Sequence, residues 1–399
     1  MPAAASLAAG VLLAALAGCT TAPPTQVTSP GRSTATVPST PSTPSTPPAP
    51  PSPTPPPEPR CRAEAEALSL PQQAGQLVMV GVDGSLSAGE RDAITSHHLG
   101  SVILMGSSDR GVARTAVLTD TIGDLADRIG ILIAVDQEGG LVQRLKGSGF
   151  DTIPAAADQA KLSAAKLTKR ATGWGEQLAA AGVHLNLAPV ADVVPKANSR
   201  TNQPIAKLRR GYGSDPSTVS EHVRAFVAGM HAGGVGAAVK HFPGLGAVKG
   251  NTDFASDVVD ATTTADSELL TPFSDAVADG VDAVMVSSAI YRKIDPDRLA
   301  TFSPTVIGLL REWGFEQVVV SDDLGAAKAL AEVPGRDRAA DFVAAGGDLA
   351  ITVDPKVAGP MVEGLVQRAE EDADFAGRLV ESTTRVLALK DDYGLIDCR

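Results

Sequence analysis

From residue 76 onward, short runs of β-branched and aliphatic residues alternate with longer stretches rich in alanine, leucine and charged residues. Eight runs have the length and composition of buried strands, and they lie at 76–81, 100–105, 130–136, 183–188, 235–240, 283–288, 317–322 and 348–353. Helices are predicted between and after them, near 87–98, 108–128, 154–181, 215–233, 264–280, 303–313, 325–345 and 361–391. The eight alternations predict an α/β fold, a (β/α)8 TIM barrel that forms a single domain. A doubly wound open sheet is the alternative, because a strand count does not establish closure.

Polar residues recur where the predicted strands end. Asp136 ends the third strand, Asp192 lies beyond the fourth, Lys240 and His241 follow the fifth, and Asp322 ends the seventh. In a barrel the carboxyl ends of all strands meet at one rim, where active sites lie. Several charged groups at one mouth would be costly without a ligand or paired roles. This rim is therefore the predicted functional site.

The first 60 residues differ in composition from the rest. They hold 16 of the 29 prolines but three charged residues, so they cannot build a core. Residues 3–17 form an apolar run too short for a comfortable membrane span, and no Lys or Arg precedes it. The run ends at Leu-Ala-Gly-Cys, which resembles a bacterial lipobox. We therefore expect residues 1–19 to be a lipoprotein signal peptide, with cleavage before Cys19 and a lipid on its sulfur.

A stalk and a folded domain are predicted to follow. Residues 20–60 are rich in Ser, Thr and Pro, a composition typical of an extended, disordered stalk. Residues 61–399 form the predicted domain. In an exported protein Cys61 and Cys398 are expected to form a disulfide, because barrel closure can bring the first and last elements side by side. Two free thiols are the alternative.

The charge of the domain limits its partners. Residues 61–399 carry 32 Lys and Arg against 45 Asp and Glu. Phosphate backbones repel a domain this acidic, so we expect no nucleic-acid partner. The sequence has neither a metal-ligand cluster nor a phosphate-binding glycine loop, and Lys249 stands where a dinucleotide fingerprint needs its third glycine. We therefore expect no metal and no cofactor, and we also expect a monomer.

The segment 136–144, DQEGGLVQR, places a carboxylate at a strand end and an arginine one loop later. Carboxylates accept and arginines donate hydrogen bonds, so Asp136 and Arg144 could together hold vicinal sugar hydroxyls. Taken alone, the segment would favour a surface ion pair.

Four further motifs follow in order, NLAPVAD at 186–192, RGYGSDP at 210–216, KHFPG at 240–244 and VSDDL at 320–324. Together with DQEGG they resemble glycoside hydrolase family 3, over roughly residues 65–390. Within that family the chain looks most like the single-domain bacterial β-N-acetylglucosaminidases that act on cell-wall fragments. Many members carry a second α/β domain, whereas here a helical stretch and a short tail follow the eighth strand.

The resemblance implies roles for individual residues. Asp322 matches the nucleophile of a retaining glycosidase, in which a second group protonates the leaving oxygen. The neighbouring Asp323 is expected to be structural, bonding the turn that follows. The positions that match sugar-binding residues are Asp136, Arg144, Arg210, Lys240 and His241.

The loop after the fifth strand departs from the family pattern. The related branch reads KHFPGHG followed by an Asp-x-His dyad whose histidine is the acid/base, but residues 240–254 read KHFPGLGAVKGNTDF. In an ungapped comparison Asn251 takes the place of the dyad aspartate and Asp253 that of the histidine. We therefore hypothesise that Asp253 is the acid/base, assisted by Asn251, and that the loop glycines form a hinge. Asp257 and His241 are the alternative acid/base residues.

By this resemblance the chain is expected to be a retaining exo-β-N-acetylglucosaminidase. It would hydrolyse terminal N-acetylglucosamine from peptidoglycan-derived glycans through a covalent intermediate on Asp322, lipid-anchored at the outer face of the cell membrane. Alternatives within the family are a β-glucosidase, another β-hexosidase or a phosphorylase. The alternative from a different class is a non-catalytic wall-binding lipoprotein, which the missing dyad suggests.

Overall fold

The computed structural model describes residues 59–398. The expected signal peptide, with Cys19, and residues 20–58 of the expected stalk lie outside the described residues. Eight parallel strands form a closed barrel, numbered β1 to β8 in chain order, with the bounds Val78–Val82, Ser101–Leu104, Leu132–Val135, Leu185–Asn186, Gly236–Phe242, Ala283–Val286, Val318–Asp323 and Leu349–Thr352.

The pairing register shows how the barrel closes. On one side β1 pairs with β2, where Met79 lies opposite Ser101. On its other side β1 pairs with β8, where Val78 lies opposite Ala350. Each strand therefore pairs with its two neighbours in sequence, the last with the first, and the barrel has no open edge. The predicted (β/α)8 barrel is confirmed and the open sheet is excluded.

Helices follow every barrel strand. Within residues 59–398 there are twelve α-helices, α1 to α12, with the bounds Arg62–Glu66, Leu70–Gln76, Ala88–Ser96, Gly111–Gly123, Ala156–Gln159, Ala164–Ala180, Pro216–Ala232, Thr271–Ala278, Pro304–Glu312, Gly335–Ala344, Pro355–Glu371 and Ala373–Asp392. No helix in this part of the chain is long and apolar enough to cross a membrane.

The helix bounds differ from the predicted ones where a cap interrupts the pattern. The predicted segment 361–391 is two helices, α11 and α12, separated by the extended residue Asp372. Its carboxylate accepts hydrogen bonds from the N–H groups of Asp374 and Phe375 and so begins α12. The helices α1 and α2, which precede β1, have five and seven residues. They are too short for a helical period to stand out in the sequence.

Two small sheets extend the loops at the carboxyl ends of the strands. After β3, Gln137–Gly139 pairs with Val142–Gln143 in an antiparallel hairpin. Val259–Asp260, from the loop after β5, joins Ile290–Tyr291 and Asp295–Leu299 from the loop after β6. These loops stand on the side of the barrel where the functional site is predicted.

The two ends of the domain meet. Cys61 and Cys398 form a disulfide with their Cα atoms 5.0 Å apart. Arg60, expected to be the last residue of the stalk, lies against α12, with its Nη1 3.0 Å from Asp391 Oδ2. The chain is therefore attached to the domain from Arg60 onward.

This junction lies at the amino ends of the barrel strands. Near the end of α12 the buried Lys390 donates hydrogen bonds to Gln76 Oε1, before β1, and to the carbonyl of Gly130, before β3. Just beyond the helix, the Tyr393 hydroxyl donates to Asp282, before β6. The stalk junction and the rim of carboxyl ends are consequently at opposite faces of the barrel.

Candidate active site

A cavity of about 640 Å³ opens at the carboxyl ends of the barrel strands. Aliphatic side chains from the strands, such as Met285 and Ile351, form part of its lining. The residues predicted to bind or react with a sugar all contribute to the wall of this cavity: Asp136, Arg144, Arg210, Lys240, His241, Asp253 and Asp322. A concave, partly apolar site with a few convergent polar groups is the usual form of a small-molecule site.

Lys240 joins two carboxylates near the end of β5. Its side chain is 2% exposed, and its Nζ lies 2.5 Å from Asp136 Oδ1 and 2.7 Å from Glu138 Oε1. Burial opposes the charged form of Lys240, but the two carboxylates outweigh that effect and raise its pKa. The ammonium is therefore charged at neutral pH, and it holds Asp136 at the cavity wall.

Glu138 also binds the guanidinium of Arg210 through both oxygens. Glu138 Oε1 lies 2.7 Å from Arg210 Nη2, and Glu138 Oε2 lies 2.8 Å from Arg210 Nε. Burial alone would raise the pKa of Glu138, but Arg210 and Lys240 hold it well below its usual range. This bidentate pair fixes the plane of the guanidinium. Arg210 Nη1 also donates to the carbonyl of Pro204 at 3.1 Å.

His241 is held between a carboxylate and a guanidinium. Its Nδ1 lies 2.8 Å from Asp192 Oδ2, and its Nε2 lies 3.2 Å from Arg210 Nη2. Because a guanidinium can only donate, the network assigns Nε2 as the acceptor and Nδ1–H as the donor to Asp192. Asp192 is fully buried and also accepts the backbone N–H of Leu245. Both ring nitrogens of His241 are thus engaged.

The adjacent aspartates at the end of β7 differ in their partners. Asp323 accepts three backbone hydrogen bonds, from Gly325, Ala326 and Val353, so it organises the turn as expected for a structural residue. Asp322 lines the cavity and accepts one bond, from the N–H of Asp323.

Burial raises the pKa of Asp322 to about 6, against the opposing effect of His241. The nearby carboxylate of Asp253 raises this pKa further, since two negative charges disfavour each other. A carboxyl with a pKa of about 6 remains mostly ionised at neutral pH. A perturbed pKa of this kind in a cavity marks Asp322 as a candidate functional residue.

Asp253 lies on an exposed turn that borders the cavity. The Asn251 side chain accepts the backbone N–H of Asp253 at 3.0 Å. The Asp253 carbonyl accepts the N–H of Lys328, in the loop after β7, at 3.3 Å. Asn251 therefore positions the backbone of this turn. Asp257, an alternative acid/base residue, is exposed and is not among the residues that line the cavity.

The first part of the same loop packs against the loop after β4. The Asn202 amide donates hydrogen bonds to the carbonyls of Leu245 at 2.7 Å and Val248 at 3.0 Å. A Cβ on Gly246 would lie 1.8 Å from the carbonyl oxygen of Val193, so only glycine fits this close approach. Close packing is therefore a reason for the glycine at 246, and the hinge stays a prediction.

Arg144 and Asp136 do not form the ion pair that the sequence alone would favour. Asp136 pairs with Lys240, and Arg144 lines the cavity. The Nε of Arg144 is buried, and no residue within 59–398 accepts a hydrogen bond from it. Arg144 therefore contributes to the cavity wall without an ion pair to Asp136.

Two residues of the site have no role predicted from the sequence, although Asp192 is expected at the rim. Glu138 lies within the DQEGG motif, and Asp192 ends the NLAPVAD motif. An acidic residue after a strand is commonly a helix cap or a surface group, so neither position identifies a partner. The contacts with Arg210 and His241 depend on loops far apart in the chain.

Comparisons with known proteins identify the family and similar chains. The family described as "Glycosyl hydrolase family 3 N terminal domain" matches residues 69–389. The chain is similar to the β-hexosaminidase of Xanthomonas oryzae pv. oryzae (strain KACC10331 / KXO85), with 32% identity over 314 residues that cover 75% of this chain and 90% of that protein.

Solved structures are similar over the same region. The β-N-acetylhexosaminidase from Beutenbergia cavernae DSM 12333 superimposes with a TM-score of 0.80 and 44% identity, covering 81% of this chain and 98% of that one. The family 3 β-N-acetylglucosaminidase from Paenibacillus sp. str. FPU-7 gives a TM-score of 0.75 and 32% identity, covering 82% and 63% of the two chains.

Proposed function

Because this chain belongs to glycosyl hydrolase family 3 and is a glycoside hydrolase, we propose that it is a retaining exo-β-N-acetylglucosaminidase. Its substrates would be cell-wall glycans, derived from peptidoglycan, that end in N-acetylglucosamine. The observation that carries the proposal is that Asp322 and Asp253 line one cavity together with Asp136, Arg210 and Lys240. The similar proteins named as hexosaminidases support the choice of sugar.

In the first step the carboxylate of Asp322 attacks the anomeric carbon of the bound sugar. The bond from that carbon to the glycosidic oxygen breaks, and the carboxyl of Asp253 gives its proton to the departing oxygen. Arg210 and Lys240 supply fixed donors for the sugar hydroxyls in a site that already holds them in place. The product of this step is a glycosyl ester on Asp322.

In the second step water hydrolyses the glycosyl ester on Asp322. The carboxylate of Asp253 accepts a proton from the water as its oxygen attacks the anomeric carbon, and the bond to Asp322 breaks. Two displacements at the same carbon retain the configuration. The ionised form of Asp322 is the nucleophile, and a carboxyl with a pKa of about 6 is mostly ionised at neutral pH.

We assign the acid/base role to Asp253 rather than to the two alternatives. Asp253 lines the same cavity as Asp322, whereas Asp257 does not line it. His241 is nearly buried, with Asp192 on one ring nitrogen and Arg210 on the other. Proton donation from His241 would require this network to rearrange.

A substrate comparison tests the proposed function. The protein is assayed on an aryl β-N-acetylglucosaminide and on the matching aryl β-glucoside, with Asp322→Asn as the control. Release from the first substrate that is lost in the variant is the expected result. Preference for the glucoside would favour a β-glucosidase, and no release from either by a folded protein would favour a wall-binding role.

The acid/base assignment has its own test. Asp253→Asn should strongly slow the hydrolysis of a substrate with a poor leaving group, because the leaving oxygen of such a substrate needs a proton. It should slow the first step far less for a substrate with an activated leaving group. Asp257→Asn is the matched control and should behave like the parent. Parental rates of Asp253→Asn on the poor leaving group would exclude Asp253 from the mechanism.

We also propose that the protein is exported and anchored by a lipid on Cys19. The junction at Arg60 and Cys61 lies at the face opposite the cavity, so a tether there would leave the mouth unobstructed. In cells fed a clickable fatty acid, the parent should be labelled and sediment with membranes, and Cys19→Ser should lose the label. Equal labelling of both proteins would contradict the anchor.

A further inference from the structure

Phe254 is an aromatic side chain left exposed at the mouth of the cavity. Its exposed fraction is 81%. Within residues 59–398, the large apolar side chains that are exposed are Val117, Leu141 and Phe254, and of these Phe254 lines the cavity. Large aromatic groups normally contribute their area to a core or an interface. The exposed position of this ring therefore favours contact with a ligand in the cavity.

The backbone that carries Phe254 is held on two sides. Within the turn, the N–H groups of Phe254 and Ala255 donate to the Asn251 carbonyl at 3.0 Å and 2.9 Å. Across the mouth of β7, the N–H groups of Lys328 and Ala329 bind the carbonyls of the residues just before Phe254. The ring consequently stands beside the loop that follows Asp322.

The chemistry of the cavity divides it into a polar part and an aromatic part. The cluster of Asp136, Lys240 and Arg210 suits the hydroxyls of the sugar whose anomeric carbon reacts. Asp253 must face the leaving oxygen if it is to protonate it. Phe254 is the next residue in the chain and lines the same cavity, and this adjacency favours a position on the side of the leaving group.

We propose that Phe254 determines specificity by packing against the leaving group. Its ring offers apolar area to the C–H groups of a sugar ring or to an aromatic ring, and it offers little to a leaving group of one atom. The enzyme would therefore favour substrates in which N-acetylglucosamine is linked to another ring. This inference rests on the proposed function and adds the recognition of the second sugar.

The test compares two leaving groups in the whole protein. N,N′-diacetylchitobiose releases a sugar, and N-acetyl-β-D-glucosaminyl fluoride releases a single atom. Phe254→Ala should lower kcat/KM for the disaccharide by roughly 5- to 10-fold and change it by less than about 2-fold for the fluoride. Phe254→Tyr should keep the parental ratio between the two substrates, because the ring is retained.

Leu141→Ala is the matched control, since Leu141 is exposed at the tip of the hairpin after β3 but is not among the cavity-lining residues. It should leave both values of kcat/KM unchanged. An equal loss on both substrates in Phe254→Ala would show that the ring only stabilises the loop, and would overturn the proposal. So would an unchanged value for the disaccharide. If the parent hydrolyses neither compound while folded, the proposed function itself fails.

Discussion

Replacing Asp322 with asparagine should abolish turnover and also stabilise the fold at neutral pH. Burial raises the pKa of this carboxyl from its usual 3.8 to about 6, so keeping it ionised in the folded protein costs free energy. A pKa shift of about two units corresponds to a cost of about 3 kcal/mol. Exposure of the carboxyl to water in the cavity reduces this free-energy cost to about 1–2 kcal/mol. Asparagine is close in size and can still accept the N–H of Asp323.

The sign of the pH dependence follows from the same shift. Between pH 4 and 6 the folded protein binds the proton more tightly than the unfolded chain does, so Asp322 makes the parent less stable as the pH rises through this window. The increase in the free energy of unfolding caused by Asp322→Asn should therefore be largest above pH 7, and at pH 4.5 it should be less than about half of that value.

Urea unfolding at pH 7.5 and pH 4.5 measures this difference. The neighbouring Asp323→Asn is the matched control. Asp323 accepts three backbone hydrogen bonds that an amide cannot all replace, so this variant should be destabilised at pH 7.5 by about 1–3 kcal/mol. If Asp322→Asn is no more stable than the parent at pH 7.5, the reasoning that burial destabilises its charge is refuted.

Three further predictions concern the charges and the disulfide. Glu138→Gln should lower the free energy of unfolding by about 3–5 kcal/mol and reduce kcat/KM, because the buried Lys240 and the partly buried Arg210 lose their shared carboxylate; unchanged urea unfolding would contradict this. Replacing Cys61 and Cys398 by serine should lower stability by about 2–4 kcal/mol, and the parent should lose a similar amount on reduction. The hydrogen bond to Asp282 raises the pKa of His231 in the folded protein. The charged His231 therefore stabilises the fold below pH 6.5, and this stabilisation is lost as the pH rises through the folded pKa. His231→Gln should therefore cost less than about 1 kcal/mol at pH 5.5 and nothing measurable at pH 9, and an equal cost at both pH values would disprove the linkage.

The sequence predicts the barrel well because its strands carry a strong local signal. Runs such as 100–105 and 283–288 are short and aliphatic, and both lie around observed strands, Ser101–Leu104 and Ala283–Val286. The predicted run 183–188 contains a strand of two residues, Leu185–Asn186, and beyond it the chain keeps one isolated bridge to the fifth strand, between Val190 and Lys240. Closure depends on pairing between β1 and β8, which are far apart in the chain, and no local pattern encodes it.

The candidate site could be located from the sequence but its contacts could not. Asp136, Lys240 and Asp322 follow strands, and strands of a barrel present their carboxyl ends together. The ion-pair partners of these residues could not be predicted. Glu138, which binds Lys240, lies on a hairpin whose course the sequence does not show. Phe254 would be expected in a core on composition alone, and its exposure depends on how the turn after residue 250 is held.

The proposed mechanism depends on a covalent bond between Asp322 and the sugar. The most direct measurement is peptide mapping by mass spectrometry after incubation with a 5-fluoro-N-acetylglucosaminyl fluoride, whose glycosyl-enzyme hydrolyses slowly. We expect one added 5-fluoro-N-acetylglucosaminyl group on the peptide that contains Asp322, and none on Asp322→Asn. A label on another carboxylate, or release of the inverted anomer without any label, would exclude Asp322 as the nucleophile.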